Sequence, residues 1–304
     1  MAGSQDFEAD ARNDELVVML DGQLVRAREA KVSIFDAGFG LGDGVWEGLR
    51  LHQGSLLFLE AHLDRLHAGG AAIGIAIPSR EALLADMVRL LRANGMEHDA
   101  HVRLMVTRGL KRTINQDPRS TIGAPTVAIT AEFKTRSKTL DRGLALATVS
   151  IQTSPPEIFD MRLNSHSRLN YIRALLEAIE LGADEAIMLD PAGHIASCNA
   201  TNFFWVSGGV LHTSGDDFCF NGVTRGNVIE ACRAGAAPLR QGNFPRAALD
   251  AAEEAFVTGT MGGITPVARI DGRALPQTNG PVTQAVVAAY AAMKDDYAAG
   301  NRHL

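Results

Sequence analysis

Three dipeptides, Asp21-Gly22, Gln53-Gly54 and Asp271-Gly272, punctuate apolar runs of this chain. A glycine in a two-residue turn accepts the positive φ that tight hairpins require, so such dipeptides join antiparallel neighbours. Leu16–Leu20 and Gln23–Val25 flank the first, and Val45–Leu51 and Leu56–Phe58 flank the second. Asn202–Val206 and Val210–His212 form another expected hairpin. The chain shows no regular βαβ alternation and no GxGxxG run after a strand, so a dinucleotide-binding fold is not supported.

The remaining elements follow from periodicity. Lys31–Phe35 is expected as a short strand, followed by a glycine-rich turn through Gly38, Gly40, Gly42 and Gly44. Leu59, Leu63, Leu66 and Ile73 recur mostly at helical spacing, and Pro78-Ser79 opens a second helix that Asn94-Gly95 stops. Strands at Val102–Thr107 and Thr126–Ala131 enclose Arg108–Pro125, a polar loop long enough to suggest function. Lys134–Arg142 is charged without apolar periodicity and reads as a linker. The expected organisation is a small α/β subdomain at 1–136, a linker at 137–143 and a larger α/β subdomain at 144–304. In the second half, strands are expected at 144–151, 185–189, 255–259 and 264–270. Helices are expected at 167–181, at 224–233 with Thr224 as N-cap, and from Pro281 to about Tyr297.

A net charge of −6 over 304 residues offers no basic face for nucleic acid. No apolar run is long enough to span a membrane, and the polar, acidic first fifteen residues lack a signal-peptide pattern. Cys198, Cys219 and Cys232 form no CxxC pair, and the nine histidines do not cluster at ligand spacings. A cytoplasmic protein with reduced thiols and no metal is expected.

Five ordered stretches carry a resemblance. They are Phe35-Asp-Ala-Gly-Phe-Gly-Leu-Gly-Asp-Gly-Val-Trp-Glu-Gly-Leu-Arg50, Glu60-Ala-His-Leu-Asp-Arg65, Gly182-Ala-Asp-Glu-Ala-Ile187, Asn221-Gly-Val-Thr-Arg-Gly226 and Thr258-Gly-Thr-Met-Gly-Gly-Ile-Thr-Pro266. Together they resemble the class IV (fold-type IV) pyridoxal phosphate (PLP) aminotransferases, which include branched-chain and D-amino-acid aminotransferases and aminodeoxychorismate lyase. The resemblance implies a mixed α/β fold of two subdomains with the site between them. It also implies a homodimer or a higher even oligomer, and a small carboxylate or amino-acid-like substrate.

At the phosphate end the resemblance assigns the cofactor anion to Arg65 and to the amides at Val223 and Thr224, with Thr260 adding a hydroxyl. A helix N-terminus suits a dianion because its first N–H groups are free and its dipole points the right way. At the carboxylate end the D-amino-acid branch implies Arg108 and the branched-chain branch Arg103, since a guanidinium fork matches a planar carboxylate. Lys111 and Arg112 follow in the same loop, with Lys111 expected to face water. His101 stands where relatives often carry tyrosine, and Phe35, Phe39 and Trp46 are candidates either for the site lining or for the core.

The reactive centre departs from the pattern. Counting back from Glu177, Gly182 and Glu185 places the Schiff-base lysine at position 164, where this chain has asparagine. An amide is neither nucleophile nor base at neutral pH. The five lysines are Lys31, Lys111, Lys134, Lys138 and Lys294, none of them between 139 and 293. Ser197 stands where relatives use the glutamate that keeps the pyridine nitrogen protonated. Ser165, His166 and Cys198 adjoin these positions and are candidate nucleophiles or bases, or else an exposed loop histidine and a buried thiol. The expectation is an enzyme that binds PLP without a covalent link, or no PLP, and catalyses a hydrolase, lyase or isomerase step. The alternatives are a conventional aminotransferase in an inactivated form and a non-catalytic binding homologue.

Overall fold

The computed structural model describes residues 3–304 and divides into two compact units. One holds Ala9–Thr135, Leu163–Arg168 and Asp296–Leu304, and the other the N-terminal residues through Glu8, Arg136–Arg162 and Leu169–Asp295. This division differs from a single boundary at 137–143 in three segments. The chain re-enters the first unit at 163–168, directly at the anticipated lysine position. The expected linker is not a free tether either. Lys138–Arg142 form a 3-10 helix whose Leu140 is buried in the second unit's core.

The first unit is built on β1 (Val17–Leu20), β2 (Gln23–Arg26), β3 (Gly44–His52), β4 (Ser55–Leu56), β5 (Ala100–Thr107) and β6 (Thr126–Phe133). Their order is β2-β1-β6-β5-β3-β4, every pairing antiparallel. Asp21 and Gly22, like Gln53 and Gly54, both have positive φ, as a two-residue turn requires. Helices α2 (Leu59–Ala72) and α3 (Arg80–Ala93) supply Leu63, Leu66, Leu83, Met87 and Leu90 to a core that includes Val102, Leu104 and Val106 of β5. Side chains alternate along a strand, so His101, Arg103 and Met105 project from the opposite face. In β3, Val45, Leu49 and Leu51 join the core, which puts Trp46, Gly48 and Arg50 on that same opposite face.

Lys31–Phe35 is not a strand. Asp36 instead caps α1 (Ala37–Leu41) by accepting from Gly38 N at 2.8 Å, so two glycines of the expected turn are helical. Gly42 ends the helix at φ 68°. Gly38 tolerates no side chain, because a Cβ there would lie 2.3 Å from Thr107 Cγ2.

The second unit is a nine-stranded mixed sheet. Its strands are β7 (Leu144–Thr148), β8 (Glu185–Leu189), β9 (Ile195–Cys198), β10 (Asn202–Ser207), β11 (Val210–Ser214), β12 (Leu239–Gly242), β13 (Glu254–Gly259), β14 (Gly263–Ile270) and β15 (Arg273–Ala274). The path runs β12-β11-β10-β13-β14-β7-β8-β9, with β15 beside β14. Phe203 and Trp205 of β10 enter one core cluster while Phe204 and Val206 enter another. The second cluster is closed by Val228 and Ile229 of α5 (Val223–Arg233) and Val286 of α6 (Pro281–Gly300). Helix α4 (Leu169–Glu180) buries Tyr171, Ala174 and Ala178 against β7 and β8.

Candidate active site

Residues 164–166 extend the first unit's sheet. Trp46 N donates to Asn164 O at 2.9 Å, His166 N donates to Gly44 O at 2.9 Å, and Val45 bridges Ser165. β4 covers only the Leu51–His52 end of β3, so this segment occupies the strand's other end. The Asn164 side chain is buried and curls back onto the same strand. Its Nδ2 donates to Trp46 O, and its Oδ1 accepts from Arg168. Trp46 Nε1 donates to Ser165 O at 3.1 Å. The position expected to carry a reactive amine therefore carries an amide engaged at both ends.

His166 Nε2 lies 3.2 Å from Val45 O. A carbonyl only accepts, so Nε2 bears the proton and Nδ1 keeps the lone pair. Burial holds His166 below its ordinary pKa, and the Arg103 and Arg168 charges act in the same direction, against the hydrogen bond to Val45. His101 is held at about 3, by burial first and then by Lys134, Arg103 and Arg50. Both imidazoles are neutral at pH 7.

The helix-covered face holds a different arrangement. Glu47 is fully buried and accepts from Arg65 Nε and Nη2 at 2.7 and 2.6 Å, with His62 Nδ1 at 2.7 Å. Burial pushes the Glu47 carboxyl up, but Arg65 and His62 outweigh it and hold the group below its ordinary range. Arg65 is thus a fixed cation, two of its nitrogens aligned by a buried acid. Arg108 is occupied too. Its guanidinium binds Asp43 at 2.6 and 3.0 Å, Ile73 O at 2.7 Å and Gly74 O at 3.0 Å. Four of five N–H groups then staple loops, which engages the guanidinium that the resemblance assigns to the carboxylate. Lys111 does not face water: it is buried and donates to Asp117 O at 2.9 Å. Arg112, Phe35 and Phe39 are exposed.

In the second unit the N-terminus of α5 has no side-chain cap. Gly222, not Thr224, occupies the N-cap, and Thr224 lies inside the first turn. A Cβ at Gly222 would sit 2.4 Å from Asn202 Oδ1, so the close approach needs glycine. Thr224 is buried and hydrogen-bonds Tyr290, whose hydroxyl burial raises to about 12. Thr260 stands in the turn between β13 and β14, partly buried. Ser197 Oγ and Cys198 N both donate to Thr201 O at 3.0 Å. Thr201 Oγ1 donates to Glu185 at 2.7 Å, and burial raises the pKa of that carboxyl. Burial also raises the Cys198 thiol well above its ordinary value, with Glu185 adding to the effect, so Cys198 is an inert buried thiol.

A profile of the family described as amino-transferase class IV matches residues 44–270. The chain belongs to the class IV aminotransferase family. Branched-chain-amino-acid aminotransferase-like protein 1 of Arabidopsis thaliana is 35% identical over 286 residues, covering 93% of this chain and 52% of that protein. The chain thus spans about half the length of that relative. Among solved structures, the branched-chain aminotransferase of Thermoproteus uzoniensis with norvaline is 33% identical, with a TM-score of 0.85 over 94% of this chain and 98% of that one. The T.th. branched-chain amino acid aminotransferase complexed with N-(5'-phosphopyridoxyl)-L-glutamate is 25% identical, with a TM-score of 0.84 over 94% and 97%. The mixed α/β architecture is that of fold-type IV.

Class IV membership implies PLP, and the residues present fit it unevenly. The uncapped α5 N-terminus and the glycine-only approach at Gly222 suit a phosphate. At the position expected to meet the aldehyde the donor set does not fit, because Asn164 offers no amine and its amide is committed. Lys31 and Lys138 are exposed, Lys134 pairs with Glu132 at 2.8 Å, and Lys294 lies 5.4 Å from the Tyr290 ring. Ser197 donates its O–H to Thr201 O, which leaves only lone pairs for a further partner.

The structure brings Asn164, His166, Arg103 and His101 into one unit, and Ser197, Cys198, Val223, Thr224 and Thr260 into the other. Two residues of the site were not anticipated. Arg168 lies four positions after Asn164, and Glu47 is an acid within the apolar run Val45–Leu51. An acid in a buried run was a readable sign that a cation must meet it.

Proposed function

We propose that this class IV aminotransferase relative binds a small carboxylate or amino-acid-like ligand and holds PLP through its phosphate alone, without lysine-dependent transamination. The Asn164 amide, tied to Trp46 and Arg168, carries this reading. When bound, PLP supplies an electron-accepting ring; the chain supplies everything else. The α5 amides at Val223 and Thr224 neutralise the phosphate, with Arg65, oriented by Glu47, as the family's further cation. His166 Nδ1 holds the one basic lone pair on the 164–166 segment, so it is the proton acceptor for a hydrolase, lyase or isomerase step.

Dilution and gel filtration test the binding mode, with PLP expected to leave the protein completely. For the step itself, His166→Gln should lower turnover of a carboxylate substrate at least 100-fold and abolish the acid limb of the pH profile. Amino-group transfer that is indifferent to His166→Gln would sink the proposal.

We further propose a homodimer. Leu169, Ile172, Leu176 and Ile179 of α4 form a stripe that is 47–70% exposed. A second copy covering that stripe would be lost in Leu176→Glu, read as a halved mass in light scattering.

A further inference from the structure

Residues 3–8 precede β1 in sequence but belong to the second unit, over which they form a strap. One end of the strap is tied to 136–138. Phe7 bridges Arg136, Ser137 N donates to Asp6 O at 3.3 Å, and Lys138 N donates to Glu8 Oε1 at 3.0 Å. The other end turns at Ser4-Gln5, closed by Asp6 N donating to Gly3 O at 3.0 Å. Ser4 is buried there, and its N–H donates to Glu185 Oε1 at 2.8 Å.

Two observations give this contact weight. The first concerns Glu185, a buried carboxyl whose burial is offset by hydrogen bonds from Ser4 and Thr201. A buried carboxyl depends on such donors, so withdrawing the strap would leave Glu185 with Thr201 alone. Thr201 in turn holds the Ser197 end, because its carbonyl accepts from Ser197 Oγ and Cys198 N. The second concerns the turn Gly259–Gly263, which carries Thr260. Gly262 does not have positive φ, so its own conformation does not call for glycine. A Cβ there would instead lie 2.8 Å from Ser4 O and 2.9 Å from Thr265 Oγ1. A Cβ at Gly259 would meet Thr201 Cγ2 at 3.4 Å and Gln5 Nε2 at 3.6 Å. The strap's backbone crosses where the turn has no side chain.

We propose that the strap is a positioning segment for the phosphate side of the site. Seated on Gly262 and Glu185, Ser4 and Gln5 back the Gly259–Gly263 turn directly and the Ser197–Thr201 turn through Glu185. An anion bound at the Thr260 turn and the seated strap then stabilise each other, since coupling between two binding events is reciprocal. This rests on the phosphate reading given above. It goes beyond that reading by adding residues that act through Gly262 and Thr201, and by giving Gly262 a reason to be glycine.

Amide hydrogen exchange read by mass spectrometry, with PLP titration alongside, tests the strap. A protein lacking residues 1–5 should exchange about 5-fold faster over residues 196–201 and 258–265, the factor for one lost hydrogen bond. It should bind PLP about 5-fold more weakly. Gly262→Ala in the full chain should produce the same two changes and also speed exchange at residues 3–8. In the protein lacking residues 1–5, Gly262→Ala should add less than about 2-fold, because the obstacle to its methyl group is gone. Saturating the unaltered protein with PLP should slow exchange at residues 3–8. Unchanged exchange at 258–265 on removing the strap would overturn the proposal. So would equal losses from Gly262→Ala with and without the strap, or PLP that leaves exchange at residues 3–8 the same or faster. No PLP binding by the unaltered protein would count against the proposed function, and exchange at 258–265 would still decide the strap.

Discussion

At the N-terminus of α5 the chain keeps what a phosphate needs, an uncapped first turn and a glycine that allows close approach. At 163–168 the backbone pairs with β3, and position 164, where the resemblance puts the lysine, carries asparagine. The contrast follows from what each region is made of. An anion cradle of backbone N–H groups survives substitution as long as the helix starts in the same place. A reactive amine depends on one side chain, and one substitution erases it. Asn164 is also more than a gap, since its two hydrogen bonds tie it to Arg168 and Trp46.

The largest effect expected is a gain. Asn164→Lys places an amine beside Arg168, whose charge lowers its pKa and raises its free-base fraction at neutral pH. With the cradle intact, this variant should form a borohydride-reducible link to PLP on most molecules. No link in a folded Asn164→Lys protein would break the comparison, because it would mean that the cradle does not hold PLP.

Next comes Glu47→Ala, which strands the Arg65 and His62 partners of a buried acid. It should cost about 3 kcal/mol in urea unfolding, with Glu47→Gln losing less. A loss under about 1 kcal/mol would mean that Arg65 is not held by Glu47.

The third effect is acid sensitivity. His101 has a folded pKa of about 3 against an ordinary 6.5, so folding favours its neutral form. Its contribution is complete above pH 6.5 and is lost as pH falls from 6.5 toward 3, at up to about 1.4 kcal/mol per pH unit. His101→Gln should flatten the urea midpoint across that window relative to the parent, and identical pH profiles would refute the burial of a neutral imidazole there. The smallest effect belongs to the cradle. Thr224→Val removes the hydroxyl that meets Tyr290 and should cost about 1 kcal/mol and roughly 5-fold in phosphate affinity. A loss above 100-fold would show that the side chain, and not the backbone, holds the anion.

Much of the fold was legible in residue order. Asp21-Gly22 and Gln53-Gly54 announced hairpins because positive φ at both positions is a local requirement. The five motifs revealed the family because each is a short contiguous string. What stayed hidden was non-local. Arg108 looks available in its loop, but its partner Asp43 lies 65 residues earlier. Lys111 reads as a surface cation until the loop folds its tip onto Asp117. His166 and Cys198 flank the altered positions in sequence, yet the return of 163–168 to the first unit assigns them to different units. Local propensity carries no trace of that return, which depends on the open edge of β3 at Gly44–Trp46.

The central claim is that this chain keeps the cradle and has given up the covalent lysine. The most direct measurement is intact mass and peptide mapping of the unaltered protein after incubation with PLP and reduction with borohydride. The expected result is an unchanged protein mass, while Asn164→Lys treated in parallel gains one phosphopyridoxyl group on the peptide containing residue 164. A stoichiometric adduct on any of the five native lysines would contradict the account.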